Sequence, residues 1–160
     1  MAIEIERKFL VLGTAWQAER GVRICQGYLN RDKRRTVRVR IAGDQAYLTV
    51  KGTNQGNTRA EFEYAIPVAD AEQLLALCDG PTVDKVRRKI QHGDHVWEVD
   101  EFLGQNAGLV VAEIELASED ETFSMPAWVG REVSDDNRYF NSQLATNPYC
   151  NWGDQATPQP

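Results

Sequence analysis

The sequence predicts a mainly β fold (α+β) for a single domain, with antiparallel strands arranged as a barrel or a sandwich. The chain has 160 residues, which suits one domain of ordinary size. Hydrophobic residues make up 42% and charged residues 26%, a balance that excludes disordered and fibrous proteins. Apolar and polar residues alternate along most of the chain, and turn-forming residues separate the alternating segments. Many short strands at this spacing are typical of antiparallel barrels and sandwiches.

Eight segments carry the period-two pattern of a strand that buries one face. Turn signals rich in Gly, Asn or Asp lie between several of them, at 42–44, 52–57, 92–94 and 104–106. The predicted strands are Ile3–Leu12, Val22–Asn30, Thr36–Ile41, Ala46–Lys51, Arg59–Ile66, Lys85–Gln91, His95–Phe102 and Val110–Leu116.

Four short helices are predicted between and after the strands. They begin near residues 14–17, 70–73, 118–121 and 134–136, where Thr, Ser or Asp precedes a helical pattern. The second carries Leu74, Leu75 and Leu77 and the fourth carries Leu144, so these helices could cover an apolar sheet face. We assign residues 1–148 to the domain and expect 149–160, which are polar with two prolines, to form a flexible tail.

Net charge and cysteine content indicate which binding partners and which cellular compartment the protein is expected to have. The net charge of −6 argues against a general binder of nucleic acid or of anionic membranes, although a local basic site stays possible. Cys25, Cys78 and Cys150 are odd in number and far apart, so neither a zinc cage nor a disulfide framework is expected. The acidic start of the chain does not resemble a signal peptide, and no apolar run is long enough to span a bilayer. We therefore expect a cytoplasmic protein with no membrane partner.

The charged residues are grouped by strand on one face of the predicted sheet. Alternation places Glu4, Glu6 and Lys8 together on the first strand, opposite Ile3 and Ile5. The same pattern recurs in Arg38 with Arg40, Lys51 with Thr49, Glu61 with Glu63, Lys85 with Arg87, Glu98 with Asp100, and Glu113 with Glu115. A solvated sheet face is the ordinary explanation. Such a face usually mixes its charges, however, whereas like charges two residues apart repel and are typical of a site where a ligand neutralises them.

The residue types in these groups indicate which ligands they would bind. Paired carboxylates offer the oxygen ligands that Mg²⁺ or Mn²⁺ prefers, and Arg and Lys bind phosphate oxygens. Both sets on one surface describe a site for a metal and a polyphosphate. If the charged face points inward, the barrel is a hydrated tunnel and its apolar outer face must be covered by the short helices.

Ordered motifs along most of the chain resemble those of the CYTH superfamily, also called triphosphate tunnel metalloenzymes. The chain opens with Glu-x-Glu-x-Lys at 4–8, and further matching motifs follow in order from residue 26 to residue 141. They are Gln26-Gly27-Tyr28-Leu29, Arg38-x-Arg40, Thr49-x-Lys51-Gly52, Glu61-x-Glu63, Lys85-x-Arg87, Glu98-x-Asp100, Glu113-x-Glu115, 128–133 and Arg138-Tyr139-Phe140-Asn141. The resemblance implies an eight-stranded antiparallel β-barrel that forms a charged tunnel, in which acidic residues bind divalent metal and basic residues hold a triphosphate.

The resemblance implies hydrolysis of a terminal phosphoanhydride of inorganic triphosphate, with release of orthophosphate and with Mg²⁺ or Mn²⁺ as cofactor. The expected substrate-binding residues are Lys8, Arg38, Arg40, Lys51, Lys85 and Arg87. The expected metal ligands are Glu4, Glu6, Glu61, Glu63, Asp100, Glu113 and Glu115. The expected catalytic residues are Glu4, Glu6, Tyr28 and Lys85.

Tyr28 and Lys85 carry a separate hypothesis about proton transfer. A tyrosine beside a buried cation is shifted towards its phenolate, so this pair would give an alkaline rate optimum. The alternative is that Tyr28 is a packing residue with a hydrogen-bonded hydroxyl.

Other functions use the same charged residues and stay open at the level of the sequence. The alternative enzymes are a nucleotide or thiamine triphosphatase and a class IV-like adenylate cyclase, which would differ in a base-reading pocket. The alternative outside enzymes is a polyphosphate-binding module, which could dispense with paired carboxylates on three strands. We expect a small-molecule triphosphate as the partner, no nucleic acid, and a monomer or homodimer.

Overall fold

A computed structural model of the protein describes residues 2–153, which contain nine strands and several short helices. The strands are β1 Ala2–Val11, β2 Gly21–Asn30, β3 Arg35–Ala42, β4 Gln45–Gly52, β5 Thr58–Ile66, β6 Val83–His92, β7 His95–Phe102, β8 Val110–Glu115 and β9 Val129–Glu132. The α-helices are α1 Val68–Leu77 and α2 Asn141–Leu144, and 3-10 turns cover Ala15–Ala18, Gly104–Asn106, Asn137–Tyr139 and Tyr149–Asn151.

The first eight strands close into an antiparallel barrel, which confirms the predicted fold. They follow the order β5-β4-β3-β2-β6-β7-β8-β1, and a further pairing joins β1 back to β5. Strand β1 makes this seam because it is long enough to pair twice: Glu4 lies opposite Arg59 of β5, and Lys8 lies opposite Glu113 of β8. The short strand β9, which sequence analysis missed, pairs with the end of β1 outside the closed ring.

One part of the barrel's apolar outer face is covered by an irregular segment rather than by a helix. Trp97 is fully buried there and makes edge-to-face contacts with Phe9, Phe123 and Trp128 at ring-centroid distances of 5.5, 5.7 and 5.8 Å. Aromatic side chains from 123–128 therefore contribute the area that helix leucines were expected to supply.

The prediction of a helix at 118–121 is wrong, because these residues form bends and turns instead. The carboxylate of Glu121 accepts a hydrogen bond from the backbone N–H of Ala117 and contacts the imidazole of His95. These interactions give the backbone N–H of Ala117 a hydrogen-bond acceptor and attach the segment to β7. The acidic residues that suggested a helix start therefore stabilise a loop.

Helix α1 covers a second part of the outer face, over β2, β3 and β4. Ala71 is fully buried with Val39 and Ala46, and Leu74 and Leu75 pack against them. Leu77, which was expected to share this role, is 69% exposed. The helix approaches β2 closely at Gly27, where a Cβ atom would lie 3.0 Å from the Cys78 sulfur.

The C-terminal segment, residues 134–152, closes one end of the barrel with an apolar cluster. The interior face of the strands changes there from charged to apolar side chains, which meet residues of the C-terminal segment in one buried cluster. The strands contribute Leu10, Tyr28, Val83, Phe102 and Val111, and the segment contributes Tyr139, Leu144, Ala145 and Trp152. The helix predicted after 134–136 is present as a 3-10 turn and α2, separated by the extended residue Phe140.

The chain after residue 148, expected to be flexible, is packed as far as the structure describes it. Tyr149–Asn151 form a 3-10 turn, and Trp152 is 7% exposed. The Trp152 ring makes edge-to-face contacts with Tyr139 and Tyr149 at 5.1 and 5.2 Å. The rest of the expected tail, 154–160, lies outside the described residues. No helix within residues 2–153 has the length and apolar character needed to cross a membrane.

Candidate active site

The charged face of the sheet points into the barrel and surrounds a cavity of about 180 Å³. Every residue that lines it is charged except Asn141. The lining residues are Glu4, Glu6, Glu61, Glu63, Glu98, Glu113, Glu115, Arg38, Arg40, Lys51, Arg87 and Asn141. A solvated outer face does not account for this arrangement, because Lys85, Asp100 and Glu113 on the same strand faces are 0%, 2% and 7% exposed. The expected charged tunnel is therefore present.

A second, smaller cavity adjoins the first on the side of the β4–β5 loop. It has a volume of about 60 Å³ and shares Glu6, Arg38, Lys51 and Asn141 with the charged cavity. It opens into an outer groove of about 300 Å³ between the loop 53–56 and residues 134–142 of the C-terminal segment. The barrel interior thus continues from the charged cavity to a second, polar opening.

Glutamates crowd one side of the charged cavity. Glu4 accepts hydrogen bonds from Lys51 Nζ at 2.9 and 3.0 Å, and Glu61 lies 3.7 Å from the same nitrogen. Burial together with the negative charges of Glu113 and Glu4 raises the pKa of Glu6 to about 8. Burial and neighbouring glutamates also raise the pKa of Glu61 and of Glu115. The carboxyl groups on this side outnumber its lysines, and their raised pKa values show that a positive charge is favoured among them, which suits a hard divalent cation.

Asp100 organises two cations on the opposite side. It accepts hydrogen bonds from Arg87 Nε and Nη2 at 2.7 and 2.9 Å, and Lys85 Nζ lies 2.7 Å from its second oxygen. Burial would raise the pKa of Asp100, but Arg87 and Lys85 hold it well below its usual range. Burial lowers the pKa of Lys85 to about 7, with Arg87 and Arg40 adding to the shift and Asp100 opposing it. Both oxygens of Asp100, an expected metal ligand, are thus engaged by cations.

Glu113 lies between the carboxylate side and the cations. Its carboxylate is 3.1 Å from Lys8 Nζ and 3.5 Å from Arg87 Nη2. Burial would raise the pKa of Glu113, but the charges of Lys8 and Arg87 lower it to about 2. Glu113 is therefore a carboxylate at neutral pH despite its burial.

The two arginines of β3 differ in how they are held. Arg38 donates to the Thr49 hydroxyl at 3.3 Å and lies 3.6 Å from Glu63. Arg40 donates through Nε to the Gln26 carboxamide oxygen at 2.8 Å and forms no ion pair with any carboxylate in residues 2–153. Burial, with the charges of Arg38 and Arg87, lowers the pKa of Arg40 to about 9. The Arg40 guanidinium is thus a half-buried cation with no carboxylate at ion-pair distance among the described residues, although the charge of Asp100 acts on it from farther away.

Tyr28 and Lys85, which were expected to act as a pair, have different partners in the structure. Lys85 Nζ donates to the Asn141 side-chain oxygen at 3.0 Å and lies over the Phe102 ring at 5.5 Å. No hydrogen bond joins it to Tyr28 in the part of the chain that the structure describes. Tyr28 instead lines the smaller cavity together with Lys8 and Lys51.

Two residues that line the charged cavity were not predicted as site residues from the sequence. Glu98 was placed on the charged face of β7 but not among the site residues, and the structure puts it in the cavity with Arg87 Nη1 at 3.4 Å. Asn141 was quoted only as part of Arg-Tyr-Phe-Asn, and it reaches the cavity from the C-terminal segment. Its motif was visible in the sequence, but its contact with Lys85 spans 56 residues and depends on how the segment folds back.

The carboxylates of the cavity do not form an assembled metal-binding group in the described residues. Among residues 2–153, no three His, Cys, Asp or Glu side chains converge closely enough to hold an ion. Instead Lys51 engages Glu4 and Lys8 engages Glu113. The donor set nevertheless fits a divalent cation in its chemistry, because carboxylate oxygens are the ligands that such ions prefer.

These features define a class of protein: an antiparallel barrel whose interior is a tunnel lined by carboxylates and by basic side chains. The CYTH domain family matches residues 2–146, and the chain belongs to this family. It is 52% identical to an inorganic triphosphatase of Acetivibrio thermocellus over 154 residues, covering 95% of this chain and 99% of that protein.

Two further comparisons agree with this assignment. An inorganic triphosphatase of Nitrosomonas europaea is 37% identical over 147 residues, which cover 89% of this chain and 96% of that protein. The solved structure of the inorganic triphosphatase NE1496 superposes with a TM-score of 0.65 at 35% identity, covering 91% of this chain and 95% of the other. The predicted family and barrel fold are confirmed.

Proposed function

We propose that this protein hydrolyses a terminal phosphoanhydride of inorganic triphosphate, releases orthophosphate and depends on a divalent cation. The observation that carries the proposal is the cavity of about 180 Å³ in which seven glutamates face three arginines and a lysine. Such a cavity suits a small, highly charged anion that brings cations with it. The two inorganic triphosphatases that resemble the chain over nearly their whole length support the same substrate.

The triphosphate binds to five cations that line the two cavities, and the fully buried Lys85, which lines neither, adds its charge from beside Asp100. The substrate-binding residues are Lys8, Arg38, Arg40, Lys51, Lys85 and Arg87. Arg87 is held rigidly, because Asp100 engages it through two parallel hydrogen bonds, so it presents a fixed charge to the phosphates. Arg40, which has no carboxylate partner among the described residues, gains its counter-charge from the substrate. Fixed cations aimed at the phosphates stabilise the charge that develops during phosphoryl transfer.

Carboxylates on the other side of the cavity hold Mg²⁺ or Mn²⁺. We assign this role to Glu4, Glu6, Glu61, Glu63, Glu113 and Glu115, and we assign Asp100 to positioning Arg87 and Lys85. When bound, a divalent cation neutralises charge on the phosphate oxygens and lowers the pKa of a bound water. Glu4 and Glu6, as catalytic residues, would also orient the attacking water by accepting its hydrogen bonds.

Binding exchanges the partners of two lysines. Lys51 Nζ is 2.9 Å from Glu4, and Lys8 Nζ is 3.1 Å from Glu113. With triphosphate and a divalent cation bound, Lys51 and Lys8 would donate to phosphate oxygens, and Glu4 and Glu113 would hold the ion. The ion pairs therefore keep the buried charges compensated until both ligands arrive.

Proton transfer is assigned to Tyr28 acting near Lys8 and Lys51, with which it lines the smaller cavity. Lys85, the other expected catalytic residue, contributes charge from its position between Asp100 and Asn141. A Tyr28→Phe protein that kept the wild-type dependence of rate on pH would instead make Tyr28 a packing residue.

The protein's surroundings follow from the same chemistry. Within the described residues all three cysteines are free, which suits a reducing cytoplasm. We expect a monomer or homodimer that acts on a small molecule, without nucleic acid or membrane as partner, because the chain has a net charge of −6.

Phosphate release from inorganic triphosphate, ATP, thiamine triphosphate and pyrophosphate tests the proposal. Each substrate is incubated with Mg²⁺, with Mn²⁺ or with excess chelator. We expect fast turnover of inorganic triphosphate with metal and much slower turnover of the others. A Glu6→Gln protein is expected to lose this turnover. Glu132→Gln, a matched change in β9 outside the closed ring, should retain it.

Each other outcome selects a different function. Loss of ATP with formation of pyrophosphate would indicate a cyclase, and equal turnover of ATP or thiamine triphosphate would indicate a broader triphosphatase. Tight binding of triphosphate with no product would indicate a polyphosphate-binding module.

A further inference from the structure

Gln26 is a fully buried polar side chain inside the barrel that none of the proposed roles uses. It is 0% exposed and lies on the inward face of β2 between Ile24 and Tyr28. Its cross-strand neighbours are Arg40 on β3 and Val83 on β6. The intervening residue Gly27 faces outward against α1, where Cys78 contacts it. Burial of a carboxamide at this position calls for hydrogen-bond partners on both of its ends.

The partner of Gln26 fixes which way its carboxamide points. Arg40 Nε donates to Gln26 Oε1 at 2.8 Å. A guanidinium has donors only, so the oxygen must face Arg40 and the NH₂ group must face away from it. That NH₂ group is buried and forms no hydrogen bond in residues 2–153. The Gln26 carboxamide therefore holds Arg40 with one end and offers unused donors with the other.

The Arg40 side chain is held in place by fewer contacts than that of Arg87. Arg87 is held by Asp100, Glu98 and Glu113. In the described part of the chain, the bond to Gln26 is the only hydrogen bond that the Arg40 side chain makes. Because it engages Nε, both terminal nitrogens of Arg40 are left for a ligand.

A second buried donor lies beside this pair. Arg38, diagonal to Gln26 across β2 and β3, has an Nε atom that is buried and without a hydrogen bond in the described residues. Unsatisfied buried donors are costly, and two of them belong to residues that are diagonal neighbours on β2 and β3. Phosphate oxygens are acceptors of the kind that would satisfy them.

We propose that Gln26 is a positioning residue for triphosphate: it fixes Arg40 through Nε so that both terminal nitrogens face the substrate. This inference rests on the proposed function and names a residue outside the charged set. Gln26 adds no charge, and its effect on the substrate passes through Arg40.

The test is a double-mutant cycle between Gln26 and Arg40. Gln26→Met removes the oxygen and the donors at nearly constant length and volume. We expect it to lower kcat/KM for inorganic triphosphate by roughly ten-fold or more, mostly through KM, because a hydrogen bond to a charged group is lost. In an Arg40→Ala background the same change is expected to alter kcat/KM by less than about two-fold, because Gln26 then has nothing to position. Gln91→Met, the same substitution at an exposed site, is the control.

Three results would overturn the proposal. One is a folded Gln26→Met protein with wild-type kcat/KM. Another is a double variant in which the two losses multiply, which would make Gln26 independent of Arg40. If Gln26→Met does not fold, Gln26→Asn replaces it. This variant keeps the carboxamide but withdraws its oxygen from Arg40 Nε by one methylene, so wild-type kcat/KM in Gln26→Asn is the third contrary result.

The proposed function can fail separately. If the wild-type protein binds inorganic triphosphate but releases no phosphate, hydrolysis is refuted, and the cycle is repeated by calorimetric titration with inorganic triphosphate. The same roughly ten-fold weakening in Gln26→Met, lost in the Arg40→Ala background, supports positioning. Unchanged affinity in Gln26→Met refutes it.

Discussion

Replacing Asp100 with Asn should destabilise the barrel strongly, because this buried carboxylate joins β7 to two cations of β6. It accepts from Arg87 Nε and Nη2 at 2.7 and 2.9 Å, and it lies 2.7 Å from Lys85 Nζ. Asn keeps the shape but loses the charge and turns one oxygen into a donor. That donor must face Arg87, which has donors only, or Lys85, which can accept a hydrogen bond only after it loses its proton.

The magnitude follows from the burial of the three groups. Their side chains are 3%, 13% and 0% exposed for Asp100, Arg87 and Lys85. Breaking a buried ion pair by removing one partner costs about 3–5 kcal/mol. Arg87 retains Glu98 and Glu113 at 3.4 and 3.5 Å, which favours the lower end of that range. This loss is a large fraction of the roughly 5–15 kcal/mol that stabilises an ordinary domain.

Urea unfolding followed by tryptophan fluorescence measures the effect. With a slope of about 2 kcal/mol per molar urea, the midpoint of Asp100→Asn should fall by about 1.5–2.5 M. The control is Asp32→Asn, since Asp32 pairs with Arg34 at 2.8 Å in an exposed turn and its loss should move the midpoint little. A midpoint for Asp100→Asn within error of the wild type would refute the reasoning, because it would mean that the buried charge triad is not coupled to folding.

Three further predictions concern the metal, the C-terminal segment and a surface ion pair. Chelation should abolish phosphate release from inorganic triphosphate, and added Mg²⁺ or Mn²⁺ should restore it; persistent turnover in chelator would contradict the carboxylate assignment. Asn141→Ala should lower kcat/KM by about three- to ten-fold because Lys85 loses its neutral acceptor at 3.0 Å, whereas the exposed Asn151→Ala should not. The hydrogen bonds from Arg7 lower the pKa of Glu132, so their contribution is present above the ordinary carboxyl pKa and is lost as pH falls through the lowered one. The difference in Tm between wild type and Glu132→Gln should therefore shrink on acidification from pH about 7 to about 3, and a constant difference would contradict the assignment.

Much of the fold was predictable because strand formation depends on local pattern. Each of the eight barrel strands shows its period-two alternation within the strand itself, and the observed bounds agree with the predicted ones to within a few residues. The short strand Val129–Glu132 was missed, because four residues that pair only with the end of β1 carry too little pattern. The helix expected at 118–121 failed for a different reason: Glu121 bonds the backbone at Ala117 and contacts His95, a strand residue that sequence spacing could not place beside it.

The site residues were visible as charged groups, but their partners were not. Pairing Tyr28 with Lys85 was plausible because both lie on inward faces of the barrel. Lys85 instead contacts Asp100 and Asn141, whereas Tyr28 lines another cavity with Lys8 and Lys51. Gln26 was quoted only as part of the Gln-Gly-Tyr-Leu motif and was given no role, since only its burial and its bond to Arg40 single it out.

The sequence by itself determined which residues share a strand face, because side-chain direction alternates along every strand whatever the strand pairs with. It therefore determined that carboxylates and cations would meet on one surface. Only the tertiary structure decided that this surface is the inside, because closure depends on β1 pairing with both β5 and β8. It also decided which charges neighbour one another. Cross-strand register and the return of the C-terminal segment are long-range properties, and they set the distances on which the chemistry of the tunnel depends.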